Sequence, residues 1–208
     1  MKLKNGLSLL VIVAFTLLGL ASKVNKIHVG AFEYNNPNET DLEKGNYLVK
    51  NDGTKVFGDK IKWKSGLFVK DRIGIDDQQF KISEIRGYKN ENTYYGRLDN
   101  EYIKRIVHGS KLNVYVVFST GTYMTTDSRG FSRTHTYERA THYAQRGEDG
   151  EMTVFAGQHD IKKLVADCPL AVQMASLSDR KMRRAIRKDR HYLNSIFETY
   201  NNDCKPVQ

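Results

Sequence analysis

Apolar and polar residues alternate along most of the chain between Gly45 and Phe118, and this period of two is typical of β-strands. In Lys60–Lys64, for example, Ile61 and Trp63 share one face and three lysines share the other. Short turns rich in Gly, Asn and Asp separate the alternating segments. The pattern predicts strands at Tyr47–Lys50, Lys55–Trp63, Leu67–Ile75, Gln79–Tyr88, Thr93–Leu98, Glu101–His108 and Leu112–Phe118.

The pattern is weakest at residues 119–133, which are rich in Ser, Thr and Gly, and we interpret this stretch as a long loop. Strands resume at Thr134–Gln145 and Met152–Phe155, with an acidic turn between them. An antiparallel β-meander with strands this short is expected to curl, or to close into a small open barrel.

The apolar period changes to that of a helix near Gln158. One helix is predicted before Asp167-Cys168-Pro169, a short one at Leu170–Leu177, and a last one that begins at Ser178 or Asp179. The last helix carries an apolar stripe near period 3.6, formed by Met182, Ile186, Leu193, Ile196, Phe197 and Tyr200. Strands followed by helices predict an α+β fold, in which a C-terminal helical hairpin packs on the antiparallel sheet.

The N-terminus has the order of a secretory signal. Lys2 and Lys4 precede an uncharged apolar run at residues 7–21, and Gly19 and Ala21 supply small side chains near its end. Cleavage near Ala21 is favoured over retention as an anchor, since the run is short for a membrane span. We therefore expect a signal at 1–21, a leader loop at 22–45, a β-rich domain at 46–156 and a helical segment at 157–208.

Export predicts a periplasmic or secreted protein without a transmembrane segment once the signal is removed. The formal charge of +9 becomes +7 (+9 minus 2) when Lys2 and Lys4 are lost, so the mature surface is basic. Such a charge favours acidic partners, although it is also compatible with mere solubility.

Cys168 and Cys204 are the two cysteines of the chain. An oxidising compartment permits a disulfide between them, because two helices that run back on each other would bring the positions together. The alternative is a pair of unbridged thiols with Cys168 buried as a small apolar residue. Neither cysteine belongs to a CxxC pair or lies beside a His, which argues against metal and redox roles.

Several short motifs occur in a familiar order: Asp52-Gly53, Ile85-Arg86-Gly87-Tyr88-Lys89, Tyr94-Tyr95, Lys104-Arg105-Ile106, Leu112-Asn113-Val114-Tyr115, Ile161 to Pro169, and Phe197 to Asn201. In this order the chain resembles exported proteins of unknown function from Gram-negative gut and gliding bacteria. The resemblance spans most of the mature chain and implies bacterial export. It implies no activity, since these motifs are turns and core positions.

The familiar catalytic and cofactor motifs are missing from the sequence. It contains no G-x-S-x-G elbow, P-loop, G-x-G-x-x-G or H-E-x-x-H, so no catalytic residue and no cofactor are assigned. His135, Glu138 and His142 are the best metal candidates, but residues 135 and 142 would face opposite sides of a strand, so no metal site is assigned. The acid pairs Asp76-Asp77 and Glu148-Asp149 lie at predicted turns, where carboxylates are commonly solvated.

Basic residues crowd the start of the last helix, where seven Lys or Arg residues occur between positions 180 and 190. Arg183, Arg187 and Arg190 share one helical face, and arginine forks suit phosphate or sulfate. The ordinary explanation is a solvated outer helix face. We therefore expect a non-enzymatic binding protein of the cell envelope or its exterior, with an anionic envelope component or a protein as partner and nucleic acid disfavoured. The alternatives are polyanion binding through this helix and hydrolysis of an envelope or dietary glycan.

Overall fold

The computed structural model describes residues 43–66, 69–189 and 191–204. The expected signal, almost all of the leader loop and Arg190 lie outside these residues. Eleven strands are described: β1 Asn46–Lys50, β2 Lys55–Gly58, β3 Ile61–Gly66, β4 Val69–Ile75, β5 Gln78–Lys81, β6 Ile85–Asn90, β7 Thr93–Leu98, β8 Glu101–Val107, β9 Leu112–Thr126, β10 Ser132–Arg146 and β11 Met152–Phe155. Four α-helices follow them: α1 Gly157–Leu164, α2 Pro169–Met174, α3 Asp179–Lys188 and α4 Tyr192–Asn202.

The strands form two antiparallel sheets, which confirms the α+β fold. The large sheet has the order β11-β10-β9-β8-β7-β6-β1-β2, and the small sheet has the order β3-β4-β5. The large sheet keeps β11 and β2 as separate edges, so it curls without closing into a barrel. No helix in the described part of the chain is long and apolar enough to cross a membrane.

Two predicted strands are each divided between the sheets. Lys55–Trp63 breaks after Gly58, because the Asp76 carboxylate accepts hydrogen bonds from the backbone of Asp59 and Lys60 and holds the chain in a turn. Gln79–Tyr88 breaks at a 3-10 turn spanning Ile82–Glu84. In the first case, a contact with the side chain of Asp76 ends a strand although the alternation of apolar and polar residues continues beyond it.

The predicted loop at residues 119–133 is wrong. β9 continues to Thr126, a tight turn follows, and β10 begins at Ser132. The two strands pair in continuous register from Leu112↔Arg146 to Thr126↔Ser132. Ser, Thr and Gly fill most positions of this part, and its few apolar side chains are exposed, so it lacks the alternation that marks a half-buried strand.

The predicted last helix is also wrong as one element, since it divides into α3 and α4. Asp189 is extended, and its side chain accepts a hydrogen bond from the His191 backbone at 2.9 Å. The C-terminal helical segment therefore consists of four short helices. The predicted bridge is present: Cys168 and Cys204 form a disulfide with Cα atoms 5.5 Å apart.

Three apolar clusters hold the fold together. The largest joins the helices to β8–β11 through fully buried residues such as Val114, Ile196 and Phe197. A second joins the small sheet to β1 and β6 around Leu48 and Ile73. The third is built only from strands of the large sheet, and it leads to the candidate site.

Candidate functional site: the concave face of the large sheet

The large sheet curls so strongly that distant strands meet across one face. Arg86 of β6 forms an ion pair with Asp149 in the turn after β10. These strands are four places apart in the sheet, about 19 Å if it were flat, which is more than the two side chains can span. Register shifts at Val49 and Arg105 mark β-bulges, which increase the bend of a strand.

Aromatic residues line the resulting concave face. Tyr94 and Tyr115 are almost fully buried there. Two glycines directly opposite each other on β6 and β7, Gly87 and Gly96, leave room for these rings. A Cβ at residue 96 would lie 2.6 Å from the Tyr115 ring, and one at residue 87 would overlap the Tyr94 hydroxyl. The paired glycines are thus needed for close approach of the rings to the backbone.

Two adjoining cavities, of about 380 and 170 Å³, open on this face. They share Arg86, Tyr94 and Glu148 as walls. The remaining wall residues are mostly polar and include Asn51, Arg97, Gln145, Asp149, Arg105 and His108. The volumes suit a small molecule rather than a folded partner.

Arg105 is the central cation of the site, and only 2% of it is exposed. Its guanidinium carbon lies 4.1 Å from the centre of the Tyr94 ring. One of its nitrogens lies 3.7 Å from a Glu148 carboxylate oxygen. Aromatic contact and a nearby carboxylate offset the cost of burying the charge.

Glu148 lies between two basic groups. His108 Nε2 is 3.3 Å from its carboxylate, which also faces Arg105. The hydrogen bond from His108 and the nearby arginines hold the pKa of Glu148 below its usual value. The carboxylate is therefore ionised at neutral pH.

Neighbouring groups complete the polar wall. Burial raises the pKa of Tyr115, so its neutral hydroxyl donates a hydrogen bond of 2.8 Å to Gln145 Oε1. The buried Arg86 Nε has no hydrogen-bond partner in the described part of the chain. A donor of this kind is available to a bound acceptor.

The predicted basic residues lie elsewhere, on α3. Arg183 and Arg187 are exposed, while Arg190 falls outside the described residues. Arg183 also lines a groove of about 350 Å³ with Met182, Ile186 and His142. The structure therefore brings Arg183 beside an apolar groove and keeps it apart from the concave face.

The metal candidates are spread along β10. His135 lies 2.8 Å from the Thr125 hydroxyl and stacks on Tyr123, whereas His142 packs against Phe155. Among the described residues, no group of three or more His, Cys, Asp or Glu could hold a metal ion.

The sequence contained weak signals for the concave site. Glu148 and Asp149 were placed in a turn and expected to be solvated. Both are exposed, yet each also faces a cation. Arg105 occupies a position of β8 where the alternation calls for an apolar residue. A charged residue at such a position indicates a buried polar site. Nothing local indicates that β6 and the β10–β11 turn would meet.

Comparison with known proteins adds no relative. The chain matches no protein-family model, no curated protein and no solved structure. Functional inference therefore depends on the site itself.

Proposed function

We propose that the protein is exported and binds a small anionic molecule in the concave cavities without transforming it. The observation that carries the proposal is the buried Arg105 guanidinium at the cavity wall. A guanidinium presents several N–H donors in a rigid fork, which matches carboxylate, phosphate or sulfate.

The charge balance of the cavities supports an anionic ligand. Lys55, Arg86, Arg97 and Arg105 contribute four positive charges, and Glu148 and Asp149 contribute two negative ones, so the wall carries +2 (+4 minus 2). Both carboxylates already face cations, while among the described residues nothing accepts a hydrogen bond from the buried Arg86 Nε. A negatively charged ligand would therefore interact more favourably with the residues that line the cavities than a neutral one.

The state of Glu148 disfavours the glycan-hydrolase alternative in these cavities. A glycosidase needs one carboxylic acid with a raised pKa as proton donor. The surroundings of Glu148 lower its pKa instead, and Asp149 is ion-paired with Arg86. Binding is thus the function that the electrostatics of the site favour.

The test is a thermal-shift titration with phosphate, sulfate and galacturonate at low ionic strength, followed by calorimetry. We expect at least one anion to raise the melting temperature of the wild type and to lose at least tenfold in affinity in Arg105→Met. Arg184→Met, on the exposed face of α3, is the matched control and should behave as wild type.

Arg86→Gln provides a second, partly exposed variant should Arg105→Met fail to fold. If none of the anions stabilises the protein, or if the variants and the control respond alike, the proposal is wrong.

A second candidate function is polyanion binding through α3. Six exposed basic side chains lie there: Arg180, Lys181, Arg183, Arg184, Arg187 and Lys188. Within the described residues no ion pair joins any of them to an acid. This surface would attract lipopolysaccharide or an acidic glycan in a salt-dependent manner.

The double variant Arg183→Glu/Arg187→Glu should abolish such binding to lipopolysaccharide vesicles. Lys162→Glu/Lys163→Glu on α1 makes the same change in charge and should retain most of it. Affinity that is unaffected by both salt and the α3 substitutions would exclude this candidate.

A further inference from the structure

The outer halves of β9 and β10 form a two-stranded arm, residues 119–126 and 132–139. β8 pairs with β9 only as far as Lys104↔Val116, and β11 pairs with β10 only from His142 onward. In the described part of the chain, the strands of the arm therefore pair only with each other. Eight residues per strand give the arm a length of about 27 Å.

The arm exposes features that isolated proteins normally avoid. A two-stranded ribbon is only marginally stable alone, and both of its edges carry unpaired backbone groups. Its apolar side chains are also exposed: Tyr123 by 51% and Met124 by 67%. Burial of this surface would stabilise the arm.

The two edges of the arm differ in charge. The β9 edge, Ser119–Thr126, contains no charged residue and no proline, the features that usually protect an edge strand. The β10 edge carries Arg133, Glu138 and Arg139. The β9 edge is thus the one suited to pair with another strand.

We propose that the β9 edges of two copies of this chain pair antiparallel across a two-fold axis. The arms then form a four-stranded sheet in the order β10-β9-β9-β10. Centred on Tyr123, this register places Tyr123 opposite its symmetry mate and Met124 opposite Thr122 of the second copy. No charged residue faces another across the junction.

Aromatic contacts favour this register. Tyr123 stacks on His135 of the same copy, with ring centres 5.0 Å apart. Pairing of the two copies extends this stack across all four strands and covers the exposed part of Tyr123. By contrast, self-pairing of the β10 edges about Thr136 would place Arg133 opposite Arg139 of the second copy twice, a destabilising arrangement.

Site-specific cross-linking tests the proposal on the full mature chain. Tyr123→Cys introduces a single free thiol, because Cys168 and Cys204 are bridged. Directly opposed residues have Cβ atoms about 4.5–5.5 Å apart, close enough for a disulfide after a small shift. Tyr137→Cys on β10 is the matched control, since in the four-stranded sheet its two copies lie on strands that are three strand spacings, about 14 Å, apart.

We expect oxidised dimer to form at least tenfold faster with Cys at position 123 than at position 137. Light scattering of the wild type should show a dimer whose fraction rises with concentration. Thr122→Lys/Met124→Lys should make it monomeric, whereas Thr134→Lys/Thr136→Lys on β10 should remain dimeric. Equal cross-linking rates, or a wild type that stays monomeric at millimolar concentration, would overturn the proposal.

Discussion

Removal of the Cys168–Cys204 disulfide should lower the free energy of unfolding by about 4 kcal/mol. The bridge closes a loop with a sequence separation of 36 residues, and loop-closure entropy for this length is worth about 4 kcal/mol. The bridge ties the residue before α2 to the chain just after α4. Because α4 supplies Leu193, Ile196 and Phe197 to the main core, its position depends on this link.

Urea denaturation followed by circular dichroism, in oxidising and reducing buffer, measures the effect. The double variant Cys168→Ala/Cys204→Ala should resemble the reduced wild type and be insensitive to reductant. The urea dependence of unfolding should also steepen, because an unbridged unfolded chain exposes more surface. A loss below about 1 kcal/mol, with both thiols shown to be free, would refute the reasoning.

Three further changes test other contacts. Asn201→Ala removes two hydrogen bonds to the Leu112 backbone, of 3.0 and 2.9 Å, and should cost about 2 kcal/mol in urea denaturation; an unchanged midpoint would contradict this. Burial lowers the pKa of His142 below 6.5 in the folded protein. As the pH falls through 6.5, the unfolded chain therefore takes up a proton at this residue before the folded chain does, and the stability of the fold decreases. In His142→Phe, the melting temperature should therefore change less between pH 7 and 5 than it does in the wild type. An equally steep dependence on pH in both proteins would refute this. Gly96→Val should cost about 1–3 kcal/mol through overlap with Tyr115, and a neutral result would show that the ring can move.

The N-terminal signal, the location in the periplasm or outside the cell, and the anionic partner remain predictions. Cell fractionation of the producing organism and N-terminal sequencing of the mature chain would test the first two. Recovery of the chain in the cytoplasm with residues 1–21 still attached would contradict both.

Much of the secondary structure was predictable from the sequence, because strand and helix periods are local properties of the chain. Alternation located β1, β7, β8 and the inner half of β9, and the change of period near Gln158 located the helices. The pairing of Cys168 with Cys204 was predicted from the expected oxidising compartment and from the helices between them, and the bridge is present.

Tertiary contacts decided the rest. The division of two predicted strands depends on the Asp76 side chain and on a 3-10 turn, and the arm of β9 and β10 lacks the alternation that would mark it. The concave site requires Arg86 and Asp149 to meet across four strand spacings. Periodicity assigns a side chain to a face of the sheet but does not determine the curvature of that sheet, which depends on bulges and on contacts between residues far apart in sequence.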